Sequence, residues 1–193
     1  HTPEYQSLIL PLVSAINDTL ILPEFNREDL PHILTTKIYR DDTCEMIIQL
    51  LPLFSQETLS ALSTLFQTTI KEFIDESLPT YLLNRPYLID QLLFYFEQTE
   101  ASGTSHLIFR ACLIHEDFMR HVYDSGIAAS FTRYIFYTSF MLVADAIMTY
   151  DAILTTHPEI SYPYFRAEWD VACFAFKHLI STSNELIKLS FLP

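Results

Sequence analysis

Cysteine and histidine side chains are the first candidates for chemistry in this sequence. Cys112 and His115 are separated by two residues, a spacing that fits metal ligands on a helix or a thiol nucleophile beside its base. No second Cys or His pair completes a tetrahedral metal site. A reactive thiol also needs an exposed, electropositive position, whereas Cys112 stands in an apolar run of an acidic chain. We therefore expect no metal and no nucleophile, but a buried thiol and a structural histidine at a helix end.

Paired carboxylates are the second candidate, because two acids placed across one cleft can share acid–base work. The candidate pairs are Glu97 with Glu100, Asp75 with Glu76, and Glu116 with Asp117. Each pair falls near an expected helix end or connection, where charge is normally solvated. Phosphate-binding loops and nucleophile elbows need clustered glycines, and the chain has only Gly103 and Gly126. We predict no enzyme and no cofactor.

The charge and the cysteines restrict the partner classes and the cellular compartment. The net charge is −13 with only 11 basic residues and no cluster of them, which argues against nucleic acid and against an anionic membrane surface. No apolar run is long enough to cross a bilayer, and residues 131–147 come closest. Cys44, Cys112 and Cys173 lie far apart in apolar runs, which is typical of reduced, buried thiols in an intracellular protein.

A spacing of 42 residues organises the bulky side chains that must position any site. It relates the four sets Phe66, Ile108 and Tyr150; Ile70, Cys112 and Leu154; Phe73, His115 and His157; and Tyr81, Tyr123 and Phe165. A period of 40 to 47 residues in helical rhythm is typical of stacked armadillo or HEAT repeats. Such a repeat cannot bury its apolar face alone, so the units must stack. The predicted fold is all-α: an armadillo/HEAT-like, right-handed helical-repeat solenoid of about four repeats.

The order of helices follows from apolar periodicity and from proline positions. We predict one domain over residues 1–193, with an irregular N-terminal cap at 1–42 and repeats from about 43 onward. A buried stripe runs from Leu59 to Phe73. Further helices are expected over 86–96, from the end of a break at residues 99–103 to His115, and over 117–123, 127–136, 139–156 and 162–180, followed by a last piece that has a capping box at 182–185.

Aromatic side chains around residues 134–140 are the candidates for binding. Tyr134, Phe136, Tyr137 and Phe140 cover more than one side of a helical segment. One side must pack in the core, and that packing accounts for most of them. Any aromatic residue beyond that side would be exposed apolar area of the kind found in binding hot spots.

One block resembles a known family over some fifty residues without a gap. Residues 109–116, Phe-Arg-Ala-Cys-Leu-Ile-His-Glu, are similar to Leu-Arg-Glu-Cys-Ile-Arg-His-Glu of the calcium-binding protein 39 scaffold family, also called Mo-25. Residues 131–134, Phe-Thr-Arg-Tyr, resemble its Phe-Phe-Arg-Tyr, and residues 153–157, Ile-Leu-Thr-Thr-His, resemble its Leu-Leu-Thr-Arg-His. Phe140 and Asp145-Ala146 fall where that family has Phe and Asp-Ala.

The resemblance implies a cytoplasmic, non-catalytic scaffold. Its concave surface, lined by the third helix of each repeat, would bind a kinase or pseudokinase of the liver-kinase-B-type or sterile-twenty-type complexes and regulate kinase activity. Phe140 matches a phenylalanine of that groove, and we assign partner binding to Phe140, Tyr137, Met141 and Arg133. Despite the family name, no EF-hand pattern occurs, so calcium is not expected.

Two positions depart from the family pattern and keep a second interpretation open. Glu185 and Leu189 stand where the family has tyrosine and arginine contacts, and its pocket for a Trp-Glu-Phe tail falls beyond Pro193. The alternative is a helical-repeat adaptor with a non-kinase partner, for example a cytoskeletal or trafficking protein.

Overall fold

The computed structural model describes residues 43–73, 77–98, 100–136 and 139–167, and the single positions 169, 170, 173 and 177. Every secondary-structure element in these ranges is helical. The elements are α1 (Thr43–Leu50), a 3-10 turn (Leu51–Leu53), α2 (Gln56–Phe73), α3 (Ser77–Leu83), α4 (Pro86–Tyr95), α5 (Ser102–Cys112), α6 (Glu116–Asp124), α7 (Ile127–Ser130), a 3-10 helix (Phe131–Phe136), α8 (Phe140–Thr155) and α9 (Pro158–Ala167). The N-terminal cap and the capping box predicted at 182–185 lie outside the described residues.

Within the described residues the predicted helices are present, and the errors concern their ends; the helix predicted at 162–180 is described without a gap only to residue 167. α5 begins at Ser102 and therefore includes Gly103, because the backbone N–H of Ser102 already donates to the Gln98 carbonyl oxygen at 2.8 Å. The same helix ends at Cys112, three residues before the predicted His115. α9 begins at Pro158 rather than at residue 162, since proline at the first helical position loses no intrahelical hydrogen bond.

The chain divides into two compact units, His1–Cys112 and Leu113–Pro193. In the first unit α1 packs against α4, and α2 packs against α5. Its core includes Leu59, Leu62, Leu65 and Phe66 of the predicted α2 stripe, all buried, together with Leu88, Leu92, Tyr95 and Phe96. The side chains of Ile70 and Phe73 lie outside the described set. Whether the two units act as one domain stays a prediction.

Hydrogen bonds within the first unit join side chains one repeat apart. Tyr87 Oη donates to Glu45 Oε2 at 2.6 Å, and Tyr95 Oη donates to the Gln49 carbonyl oxygen at 2.8 Å, so α1 and α4 pair across separations of 42 and 46 residues. Ser63 Oγ donates to Thr104 Oγ1 at 3.2 Å, which links α2 to α5 across 41 residues. Equivalent helices of successive repeats are therefore neighbours, as a stacked repeat requires.

The second unit is built around α8. The 3-10 helix and α9 pack against α8, and α9 also packs against α6. The Phe131 ring stacks parallel to Tyr150 with centroids 6.5 Å apart and meets Tyr134 edge-on at 5.1 Å. Gly126 joins α6 to α7 with φ +77°, a left-handed conformation that residues with a Cβ adopt at a cost. Its N–H donates to the Tyr123 carbonyl oxygen and so closes the end of α6.

The 42-residue spacing corresponds to a triplet of helices. α3, α4 and α5 form one triplet, and α6, α7 with the 3-10 helix, and α8 form the next. Phe66, Ile108 and Tyr150 are buried on α2, α5 and α8, the third helices of successive triplets. His115 and His157 immediately precede α6 and α9, so each marks the junction between one triplet and the next. The predicted class, an all-α helical repeat, is confirmed.

Candidate functional site

The exposed face of α8 is the candidate binding site. Val143, Ala146, Ile147, Tyr150 and Ile153 are buried and fix the opposite face against the core. Phe140 remains 38% exposed, Met141 66% and Met148 58%. Met141 and Met148 are two helical turns apart, so they lie on the same side of the helix. Unbranched, polarisable methionine side chains adapt to different partner shapes, which suits a binding surface.

The four predicted partner-binding residues have different outcomes in the structure. Phe140 and Met141 occupy the first turn of α8 and are exposed, as a contact residue must be. Arg133 is exposed on the 3-10 helix that packs against α8. Tyr137 lies outside the described residues. Tyr134, considered with them, is buried and belongs to the core.

Sequence reasoning missed Met148. The sequence contains a signal for it, because Met148 follows Met141 by seven residues and the residues five places before and after Met148, Val143 and Ile153, are apolar. The prediction gave weight to the aromatic block and to Phe140, whose match came from a resemblance. A search for apolar residues opposite the buried stripe of the helix would have found Met148.

Arg133 is held in place by its neighbour in sequence. Its guanidinium lies over the Tyr134 ring, 4.7 Å from the centroid, and one terminal NH₂ donates to Tyr134 Oη at 2.7 Å. Cation–π stacking and a hydrogen bond reduce the number of conformations that the long side chain samples. The exposed guanidinium is therefore oriented before a partner arrives, and less conformational entropy is lost when it binds.

Cys112 and His115 do not form a reactive pair. Cys112 is completely buried as the last residue of α5, rather than in its middle as expected, and burial raises the pKa of its thiol well above the ordinary value. Burial likewise raises the pKa of Cys44 to about 12. Both thiols are therefore protonated and poorly nucleophilic. The prediction of buried thiols is wrong for Cys173, which is half-buried.

His115 and His157 occupy the junctions between triplets. His115 is the N-cap residue of α6, but its side chain makes no capping hydrogen bond to that helix. His157 Nε2 donates to the Ile114 carbonyl oxygen at 2.9 Å, and its Nδ1 lies 3.1 Å from Glu159 Oε1. His157 thus ties the start of α9 to the start of α6. The structural role was expected for His115, whereas the side-chain hydrogen bonds at a helix end are made by His157.

Two of the candidate carboxylate pairs lie within the described residues, and their four side chains are exposed. Glu116 and Asp117 lie exposed in the first turn of α6, where the helix dipole favours negative charge, and Glu116 accepts hydrogen bonds from Arg120. Glu100 is exposed in the turn before α5. Asp75 and Glu76 lie outside the described residues. Within the described ranges, no group of three or more His, Cys, Asp or Glu side chains is arranged to hold a metal ion.

Helices that recur in triplets, with equivalent helices in contact, define the armadillo-like class of helical-repeat proteins. The Mo25-like family model matches residues 4–193, and the chain belongs to this family. None of the described helices combines the length and the apolar character needed to cross a bilayer.

Curated relatives match at low identity. The chain is 24% identical to the Mo25-like protein of Schizosaccharomyces pombe over 162 residues, which is 83% of this chain and 49% of the relative. It is 21% identical to the calcium-binding protein 39-like protein of Mus musculus, covering 80% of this chain and 47% of the relative. MO25-like protein 2 of Caenorhabditis elegans is 24% identical, with coverages of 78% and 45%. The chain therefore spans about half the length of these relatives.

Proposed function

We propose that this protein is a non-catalytic scaffold that binds a kinase or pseudokinase and regulates kinase activity. The observation that carries the proposal is membership of the Mo25-like family over residues 4–193. The binding surface is the exposed face of α8, with Phe140, Met141 and Met148 as apolar contacts. Arg133 and Tyr137 are its polar contacts. The compartment is the cytoplasm, in keeping with three free cysteines.

The mechanism is stabilisation of one partner conformation. A surface whose helices are fixed by buried side chains loses little conformational entropy when it binds. If it contacts only the active arrangement of a kinase, it shifts the partner toward that state by its difference in affinity for the two states. A difference of about 10⁴-fold turns a partner that is mostly inactive into one that is mostly active. No chemistry by the scaffold is required.

The first test uses Phe140→Ala in the full chain. The side chain is partly exposed at the first position of α8, so its truncation should leave the helical circular dichroism unchanged. Loss of an aromatic hot-spot contact should weaken partner binding by about 2 kcal/mol, roughly thirtyfold in Kd. Kinases and pseudokinases recovered from the native cell by the wild-type chain are the binding partners to be measured by calorimetry.

The control is Tyr162→Ala, which truncates an exposed aromatic side chain on α9. It should leave the affinity for the same partner unchanged. Recovery of a partner without a kinase fold would favour the non-kinase adaptor, an alternative that Glu185 and Leu189 support at sequence level. Loss of helical signal in Phe140→Ala would instead assign Phe140 to the core and remove it from the binding surface.

A further inference from the structure

Another exposed surface lies on the outer side of α4, the second helix of its triplet. The equivalent helix of the preceding repeat, α1, packs beside it. On α4 the exposed residues Tyr87, Asp90 and Phe94 follow at intervals of three and four. This spacing places all three on one side of the helix. Tyr87 is 50% exposed and Phe94 58%, while the opposite side of α4 is buried through Leu88, Ile89, Leu92 and Tyr95. The outer face of α4 therefore has a carboxylate between two aromatic rings.

Tyr87 is held in position by a network of polar contacts. Its hydroxyl donates to Glu45 Oε2 at 2.6 Å, and this bond raises the pKa of Tyr87. Gln49 Nε2 donates to the other oxygen of the same carboxylate at 2.9 Å. Arg85 Nε lies 3.8 Å from Glu45 Oε2, and its guanidinium covers the Tyr81 ring. The Tyr87 ring is thus oriented before any partner arrives, which lowers the entropy lost on binding.

Asp90 has no comparable contacts. Within the described part of the chain, no hydrogen-bond donor or cation lies in bonding distance of its carboxylate. Neither α1 nor α4 contains a lysine or arginine, and the nearest arginine in sequence, Arg85, is directed toward Glu45 and Tyr81. The face therefore presents the Asp90 carboxylate and two aromatic rings, while Arg85 at its edge is engaged with Glu45 and Tyr81.

We propose that the outer face of α4 is a docking site for an arginine-bearing, apolar segment of another protein. The guanidinium stacks on the Tyr87 or Phe94 ring and donates hydrogen bonds to the Asp90 carboxylate, while neighbouring apolar side chains of the segment cover Phe94. A planar guanidinium satisfies both requirements at once, since it stacks on aromatic faces and matches a carboxylate with two parallel N–H donors. Lysine offers a point charge and no planar stacking surface. The charge of −13 on the whole chain attracts such a segment over a longer range.

This site is separate from the proposed kinase-binding surface, because it lies on second helices of the first unit rather than on α8. Each of the two proposals can therefore be disproved without affecting the other. A variant of Asp90 or Phe94 should leave binding of the kinase partner unchanged, and Phe140→Ala should leave the α4 site unchanged.

The experiment selects random dodecapeptides displayed on phage with the full chain as bait. Peptides that also bind the double variant Asp90→Asn with Phe94→Ser are removed, so that only peptides dependent on this face remain. We expect the remaining peptides to be enriched in arginine next to bulky apolar residues. By calorimetry, Asp90→Asn and Phe94→Ser should each raise Kd by about tenfold or more, and replacing the peptide arginine by lysine should also raise Kd.

Asp117→Asn is the matched control, because Asp117 is an exposed carboxylate on α6 in the other unit and should not affect Kd. Circular dichroism checks that each surface variant keeps its helical content. If no peptide survives the subtraction, or if the survivors lack arginine, the proposal is wrong. It is equally wrong if Asp117→Asn weakens binding as much as Asp90→Asn.

Discussion

At the scale of single residues, the His106 ring is fully buried in the first unit and stacks on Phe96 with centroids 3.7 Å apart. Burial, with a smaller effect of Arg110, lowers the pKa of His106 from 6.5 to about 3. The His106 imidazole therefore takes up a proton at a higher pH in the unfolded chain than in the folded chain. Stability should rise as pH increases from about 3 to 6.5, and the titration of His106 should change the free energy of unfolding by on the order of 5 kcal/mol over this range.

Urea unfolding of the full chain across this pH range, followed by circular dichroism, measures the effect. His106→Phe keeps an aromatic ring against Phe96 and removes the titrating group, so its stability should depend less steeply on pH. Equal slopes for the two proteins would show that other groups cause the acid sensitivity. The sequence does not reveal this environment, because only the packing of α4 and α5 brings Phe96 over the imidazole.

At the scale of helices, the last turn of α8 is completed by its neighbours. The Ile153 carbonyl oxygen accepts from Tyr123 Oη at 2.9 Å, and the Leu154 carbonyl oxygen accepts from Ser161 Oγ at 2.8 Å. Carbonyls in the final turn of a helix lack intrahelical donors, so α6 and α9 supply them. Tyr123→Phe keeps the ring and its contact with Tyr164 while removing one donor. It should destabilise the chain by about 1 kcal/mol in thermal or urea unfolding.

Tyr162→Phe is the matched control, because the Tyr162 ring is exposed on α9. Its unfolding midpoint should stay at the wild-type value, and a loss equal to that of Tyr123→Phe would contradict the capping role.

The same contacts explain which features of the helices were predictable. Apolar periodicity and prolines identified α2, α4 and α8, whereas the ends of α5 and the start of α9 depend on backbone turns and on partners distant in sequence.

At the scale of the whole molecule, the charge of −13 should govern how fast a partner arrives. A protein partner with a basic face is attracted over distances near the Debye length, about 10 Å at 0.1 M salt. Raising NaCl from about 0.05 to about 0.5 M should slow association with the kinase partner and change dissociation little. Surface plasmon resonance separates the two rates, and an association rate independent of salt would refute electrostatic steering.

The 42-residue period predicted the helical-repeat class, but not the binding face of α8, and the division into helix triplets was implied only by the family resemblance. Resemblance pointed to Phe140, whereas Met148 follows from its position opposite the buried residues of α8. Tyr137, Glu185 and Leu189 lie outside the described residues, so their predicted roles stay predictions.

The hydrogen bonds between equivalent helices, which join residues 41 to 46 positions apart, have a consequence for how the chain acquires its structure. Contacts of this range close short loops, so the loss of chain entropy before the first pair of helices meets is small. A folding nucleus needs little more than one triplet and its neighbour, and the next triplet adds to a surface that already exists. During synthesis on the ribosome, each triplet can then dock soon after it emerges, without waiting for a distant part of the chain.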